Sequence, residues 1–403
     1  MHPNSSRSVS AYLVFSIVLL VYLLAFTGFA STDDEQLFST LTANLAHNRG
    51  YSALPLFGND RLQGESGGVE PLHPILGIPF YLVAERIGLG KVQVLFLLPA
   101  LYTALTAALL VMISEVKGYP PKITLLIGLI YGLATIAFPY ARTNFRKPLA
   151  ALLITIAILC FEKSVPPGKN IWENLIYSVS GSVILILSVL TKITTIVLIP
   201  FLLVSSFRKK YKMKNGTISK SVRLTLISGF FAVSLGLIFI SILPKETLSR
   251  FNFQFLEYIR YTLPRIPHDH FWSALAGLFF SPGKGLFIYS PIFFLLFVPP
   301  FFRRYKKFEW IVYCGALLAL ASVQALIYDE QWWSISWGTR ALLPALPLAC
   351  LASLPVLDAG IQNKNNVFRF STFSLIALSV LSQMGRLLTS DPAYANWVVQ
   401  NTG

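Results

Sequence analysis

What this sequence lacks first is charge. Of its 403 residues 13% are Asp, Glu, Lys or Arg and 54% are hydrophobic, and its mean hydropathy is +0.62. So few charges cannot cover a water-soluble globule of this size, which excludes that class and leaves a polytopic membrane protein. Cysteine is nearly absent: Cys160, Cys314 and Cys350 lie in apolar runs without metal-ligand spacing, which excludes a disulfide framework. Histidine is equally sparse, and His268-Asp269-His270 offers two metal ligands with no third nearby, so no metal site is read. There is no internal repeat, no low-complexity linker and no soluble stretch, so residues 1–403 read as one membrane-embedded domain.

The net charge of +15 does not point to nucleic acid. Much of it sits in two compact clusters, Arg208-Lys209-Lys210 with Lys212 and Lys214, and Arg303-Arg304 with Lys306-Lys307, which mark cytoplasmic loops. A bilayer core about 30 Å thick needs roughly 20 apolar residues per helix. Runs of that order fall at 11–30, 92–114, 122–140, 148–162, 175–190, 193–207, 222–243, 286–302, 309–327, 341–357 and 370–388, about 11 spans in an all-α chain. The first is longer than the core of a signal peptide and is followed by acids, so it reads as a retained anchor. Residues 72–87 are apolar but interrupted by Pro74, Pro79, Glu85 and Arg86, and read as a juxtamembrane segment outside the membrane. Alternation from a cytoplasmic N-terminus puts both basic clusters inside. It leaves two long extracytoplasmic loops, 31–90 with amphipathic helices and 244–285.

The residues able to do chemistry gather on that outer side. Asp33, Asp34 and Glu35 follow the first span, where three adjacent carboxylates repel one another and lose hydration near lipid. They can supply a general base toward a hydroxyl; a helix N-terminus, favouring acids through its dipole and capped by Thr32 or Asp33, accounts for them equally. Arg142, Arg146, Lys147 and Lys192 stand where the positive-inside rule disfavours cations, and a lipid phosphate would satisfy them. Lys147 is read as snorkelling toward ordinary headgroups, Lys192 as wedged in place. Ser281-Pro282-Gly283-Lys284-Gly285 lacks the spacing of a nucleotide loop, but Lys284 and its backbone amides suit a phosphate. Asp329, Glu330, Trp332 and Trp333 combine acids with aromatic faces suited to a sugar, or form an interfacial belt. Arg340 enters the tenth span from outside, and Glu70-Pro71-Leu72-His73-Pro74 reads as a rigid loop.

In order and sidedness these features resemble the GT-C superfamily of membrane glycosyltransferases, which includes protein O-mannosyltransferases and aminoarabinose transferases. The carriers are Asp33-Asp34-Glu35 after the first span, His73-Pro74-Ile75-Leu76 before the second, and the late motifs Pro282-Gly283-Lys284-Gly285 and Trp337-Gly338-Thr339-Arg340. The resemblance implies a polyprenyl-phosphate-linked sugar as donor and a glycan, lipid or protein as acceptor, with no nucleic-acid partner. Asp33, Asp34 or Glu35 would be the base, and Arg142, Arg146, Lys192, Lys284 and Arg340 would hold the donor phosphate. His73, Asp329, Glu330, Trp332 and Trp333 would bind sugar or acceptor. No cofactor is required, and a divalent cation, Mg or Mn, is compatible. The expected enzyme is an inverting hexosyl- or pentosyltransferase in the plasma membrane, its site extracytoplasmic. The alternatives are a transporter or flippase for an anionic lipid or solute, which the missing repeat disfavours, and a silent scaffold.

Overall fold

The computed structural model describes residues 3–28, 30, 32–50, 70–164, 171–212, 270–298, 307–327, 337–362 and 366–388. Every regular element among them is helical. The expected span 222–243, most of the loop 244–285, and Asp329, Glu330, Trp332 and Trp333 lie outside the described residues.

The first half is organised around α4 (Lys91–Val116), whose 26 residues extend about 39 Å, enough to cross a hydrocarbon core with some tilt. Against it pack α1 (Pro3–Leu24), α3 (Leu72–Ile87), α5 (Pro121–Leu133) and α7 (Lys147–Lys163), while α2 (Asp33–Ala46) lies on α3 and α8 (Ile171–Thr191) on α7. Small residues allow the close approach of α1, α4 and α5. A Cβ added at Gly128 would come within 2.8 Å of Val14 and 2.9 Å of the Ala107 carbonyl, and one at Gly132 within 2.7 Å of Val18. The Gly132 carbonyl is in the last turn of α5 and has no partner within its own helix; Tyr22 Oη donates to it at 2.7 Å.

The second half contains α9 (Ile199–Lys212), α10 (Phe271–Phe280), the single turn α11 (Leu286–Tyr289), α12 (Lys307–Ile327), α13 (Leu346–Gln362) and α14 (Asn366–Leu388). The apolar stretch Arg340–Gln362 is buried over nearly all its length and forms the centre of this half; α14 is peripheral. Lys91–Val116, Trp172–Thr191, Phe308–Leu326, Arg340–Gln362 and Asn366–Leu387 are long and apolar enough to cross a membrane, and shorter apolar helices accompany them. Large apolar side chains stand exposed on α1 (Tyr12, Leu20, Leu24) and α14 (Phe370, Leu378, Leu381), as lipid-facing surfaces require. The chain is a multi-pass membrane protein.

Several expected spans are not continuous helices. The run 122–140 breaks after α5 and resumes as α6 (Ala137–Tyr140); 193–207 begins as a 3-10 turn, Ile193–Leu198; the described part of 286–302, up to residue 298, is α11 followed by the 3-10 turn Pro291–Phe297; and α13 is preceded by the 3-10 turn Arg340–Ala345. Residues 72–87 form a complete helix, and His73 and Pro74 belong to its first turn rather than to a rigid loop. Proline fits there because a first-turn N–H has no partner to lose. Irregular backbone at membrane depth is tolerated only where protein or a cavity covers it, so these breaks mark where the bundle departs from simple packing.

At one end of the bundle Lys117, just past α4, lies 2.8 Å from Glu162 Oε1 at the end of α7 and 2.6 Å from Glu309 Oε2 at the start of α12. It also reaches Tyr313 Oη at 3.4 Å. Burial pushes the Lys117 ammonium down, but Tyr313, Glu162 and Glu309 outweigh it and hold the group well above its ordinary value. This charged clamp joins the two halves at the end opposite Lys147, the first residue of α7.

Candidate functional site

The other end of the bundle gathers a second group of charged side chains. Helix α2 starts there because Thr32 closes a capping box: its Oγ1 accepts from the Glu35 amide at 3.4 Å, and Glu35 Oε2 accepts from the Thr32 amide at 3.0 Å. Glu35 is 1% exposed and its carboxylate is engaged in the cap. Asp33 opens the helix, and its side chain lies outside the described part. Asp34, one position on, is half exposed, and its Oδ2 is 3.0 Å from Arg340 Nη1.

Around this pair stand further cations. Phe145 lies under the Arg340 guanidinium at 5.1 Å and near Lys147 Nζ at 5.9 Å, and Phe38 lies under Arg146 at 5.3 Å. Lys147 is 7% exposed and within electrostatic range of Arg340, Lys192, Arg146 and Asp34. The snorkelling expected of it is therefore wrong: Lys147 starts α7 inside the protein. Lys192 is the extended residue that separates α8 from the 3-10 turn Ile193–Leu198. Burial first, then Arg146, push its ammonium down to about 8, against the pull of Glu70 and Asp34.

Glu70, immediately before α3, ties these elements together. It forms an ion pair with Arg146, lies 3.8 Å from Lys192 Nζ through Oε1, and accepts the Ile193 amide at 2.7 Å. Burial alone would raise its carboxyl, but Arg146, Lys192 and that amide hold it below the usual value. Sequence reading placed Glu70 in a structural loop and missed this role.

Lys284 arrives from the other half. Its turn is built on Ser281, which engages the amides of Gly283, Lys284 and Gly285, so those amides are not offered to a phosphate and only the side chain is. The Thr339 hydroxyl sits between the Leu278 carbonyl, at 2.7 Å, and the Lys284 carbonyl, which fixes this turn against Arg340. Gly338 provides the bend: its φ is +66°, and a Cβ there would meet Ile136 at 2.6 Å. Burial and then Arg340 push Lys284 down to about 7. Five basic side chains, Arg146, Lys147, Lys192, Lys284 and Arg340, thus gather around two carboxylates, Asp34 and Glu70.

Two expected site residues face elsewhere. Arg142 turns its Nε to the Ala25 carbonyl and anchors the end of α1. His73 is 3% exposed, edge-on to Phe38 and Tyr102, with Nε2 donating to Asn144 Oδ1 at 3.0 Å. Burial dominates and lowers it to about 4, so it is neutral at physiological pH. Asn144 passes the connection on, its Nδ2 donating to Ser39 Oγ at 3.1 Å and Ser39 donating to the Glu35 carbonyl at 2.9 Å. His73 is thus linked to α2 from inside through Asn144 and Ser39. Among the described residues no three His, Cys, Asp or Glu side chains converge on a metal position.

The same arrangement of helices occurs in solved membrane proteins. ArnT from Cupriavidus metallidurans bound to undecaprenyl phosphate is similar over 96% of this chain and 74% of its own, with a TM-score of 0.56 and 15% identity. Archaeoglobus fulgidus AglB, an archaeal oligosaccharyltransferase in complex with an inhibitory peptide and a dolichol-phosphate, matches over 96% of this chain and 56% of its own, with a TM-score of 0.52 and 14% identity. The chain has the GT-C fold. The same archaeal enzyme in complex with Zn and sulfate aligns over 92% of this chain and 53% of its own, with a TM-score of 0.50 and 13% identity. The chain thus spans about half the length of that oligosaccharyltransferase. No protein-family profile and no curated protein sequence matches it. Within the GT-C fold, Glu70 and Asn144, to which the sequence assigned no such role, and Lys147, read from it as snorkelling, belong to the same end of the bundle as the residues expected there.

Proposed function

We propose that this protein is an inverting glycosyltransferase that moves a sugar from a polyprenyl-phosphate-linked donor to a glycan, lipid or protein acceptor. The observation that carries the reading is the half-exposed Asp34 carboxylate paired to Arg340 beside four more basic side chains. A carboxylate open to an acceptor hydroxyl, next to an excess of positive charge, is what displacement of a phosphate leaving group needs. The acceptor oxygen bonds to the anomeric carbon while the bond from that carbon to the phosphate oxygen breaks. The electron pair leaves with the lipid phosphate, the hydroxyl proton passes to Asp34, and a single displacement inverts the centre. Arg340, next to both base and phosphate, orients the two. Arginine and lysine suffice to neutralise the leaving group, so the step is drawn without a metal ion.

The likeness to ArnT with undecaprenyl phosphate and to AglB with dolichol-phosphate supports a polyprenyl carrier for this chain too. The basic clusters at 208–214 and 303–307 support a cytoplasmic N-terminus, about 11 spans and an extracytoplasmic site in the plasma membrane. In that orientation 31–90 and 244–285 are outer loops of one domain, and α3, apolar on its exposed Phe80, Leu82 and Val83, lies along the membrane. The sugar is a hexose or pentose. Reconstitution in liposomes with a polyprenyl-phosphate sugar tests the reading: covalent transfer supports it, and movement of the lipid across the bilayer without transfer replaces it with a flippase.

Phosphate binding should depend on pH through Lys284. Its folded-state value of about 7 is below the 10.5 of the unfolded chain, so the folded protein holds fewer protons between those values. Stability of the ligand-free protein therefore rises with pH across that window, and the full penalty of a buried ammonium is present below it. A phosphate beside Lys284 restores the proton. Polyprenyl phosphate should bind more weakly as pH rises from 6.5 to 8.5, on the order of several-fold, and Lys284→Met should flatten that change. Binding isotherms at the two pH values check this.

A further inference from the structure

We propose that Glu70 is a positioning residue of the donor site, bridging Arg146 and Lys192 so that both cations stay aimed at one phosphate position. The inference rests on the glycosyltransferase reading and adds a residue to it. Three elements meet at this carboxylate: the segment entering α3, the start of α7 through Arg146, and the break between α8 and the next 3-10 turn through Lys192 and the Ile193 amide. That break frees the Ile193 amide, and Glu70 Oε1 caps it at 2.7 Å. The side chains of Glu70, Arg146 and Lys192 are 14%, 15% and 17% exposed, so water screens little of their interaction.

Two cations held this close repel one another. Without an anion between them, the stronger acid gives up its proton first, and that is the lysine ammonium rather than the arginine guanidinium. Lys192 faces Arg146 and Lys147 from the start of α7, Arg340 from the turn before α13, Asp34 from α2 and Glu70 from the segment before α3. Of the two carboxylates Glu70 is the one in ion-pair contact, and Asp34 is already engaged by Arg340. Its carboxylate thus does two things for a donor that has not yet arrived: it fixes the spacing of two phosphate ligands, and it keeps one of them charged. Lys192 retains a value of about 8 with Glu70 present, so removal of the carboxylate would carry its titration into the neutral range.

The test uses the full-length protein in detergent micelles and a fluorescent short-chain polyprenyl phosphate as probe, with binding measured from pH 6 to 9. Glu70→Gln should lower the pH at which Lys192-dependent binding is lost by about one unit, a shift typical of removing one near counter-charge. Glu70→Gln combined with Lys192→Arg should return the profile to that of Lys192→Arg alone, because arginine does not deprotonate in this range. Equal loss at every pH, unrescued by Lys192→Arg, would mean Glu70 only supports the fold and would overturn the proposal; so would an unchanged profile. If the wild type binds no polyprenyl phosphate at any pH, the donor assignment itself fails, a result distinct from either of these.

Discussion

Asp34→Asn should lower glycosyl transfer by about 10²–10⁴-fold, the range attributed to a positioned general base, while leaving the protein folded. The amide matches the carboxylate in shape and can still accept from Arg340 Nη1, 3.0 Å away in the wild type. It cannot take a proton from the acceptor. Because the substitution also removes one of two negative charges from a group of five cations, donor binding should hold or tighten. Initial rates against donor concentration separate the terms: kcat falls and the donor KM does not rise. A rise in KM at unchanged kcat would make Asp34 a binding group and leave the base unassigned. Asp33→Asn is the companion measurement, since both acids follow the first span.

Lys117→Met should be the most destabilising single change at the opposite end of the bundle. The substitution leaves Glu162 and Glu309, 9% and 15% exposed, without the ammonium that lies between them. Removing one partner from a buried ion pair costs about 3–5 kcal/mol, and here two carboxylates lose the same partner. The thermal midpoint in detergent should drop clearly, and adding Glu162→Gln and Glu309→Gln to the same chain should recover much of the loss. Helix α7, 17 residues long, puts about 25 Å between this clamp and Lys147, so transfer per folded molecule should be unaffected. A midpoint unchanged by Lys117→Met would show that the clamp contributes nothing to joining the halves.

The sequence made some of this visible because the signal was local. Apolar runs gave the long helices at 91–116 and 366–388, and Thr32 before three acids gave the start of α2. Arg340 and Lys192 drew notice as charges in apolar surroundings, and the structure places both in the charged cluster. Partnerships across the chain left no such trace. Lys117 meets Glu309 192 positions away, and Asn144 meets His73 71 away; neither pair has a spacing or pattern to read. Glu70 looked like part of a proline-stiffened loop because its partners come from two distant elements. The helix breaks were hidden for a different reason. Hydropathy measures burial, and a 3-10 turn such as Ile193–Leu198 is as apolar as the helix that follows it. The Lys284 turn shows the limit of composition: its glycines suggested free amides, but Ser281 uses them.

The measurement that bears most directly on a polyprenyl-phosphate-dependent transferase is mass spectrometry of lipids that co-purify with the protein in mild detergent, comparing wild type with Asp34→Asn. The account predicts a polyprenyl-phosphate sugar enriched in the variant, because the donor site around Arg146, Lys192, Lys284 and Arg340 is intact and turnover is blocked. Bulk phospholipid alone in both preparations would contradict it.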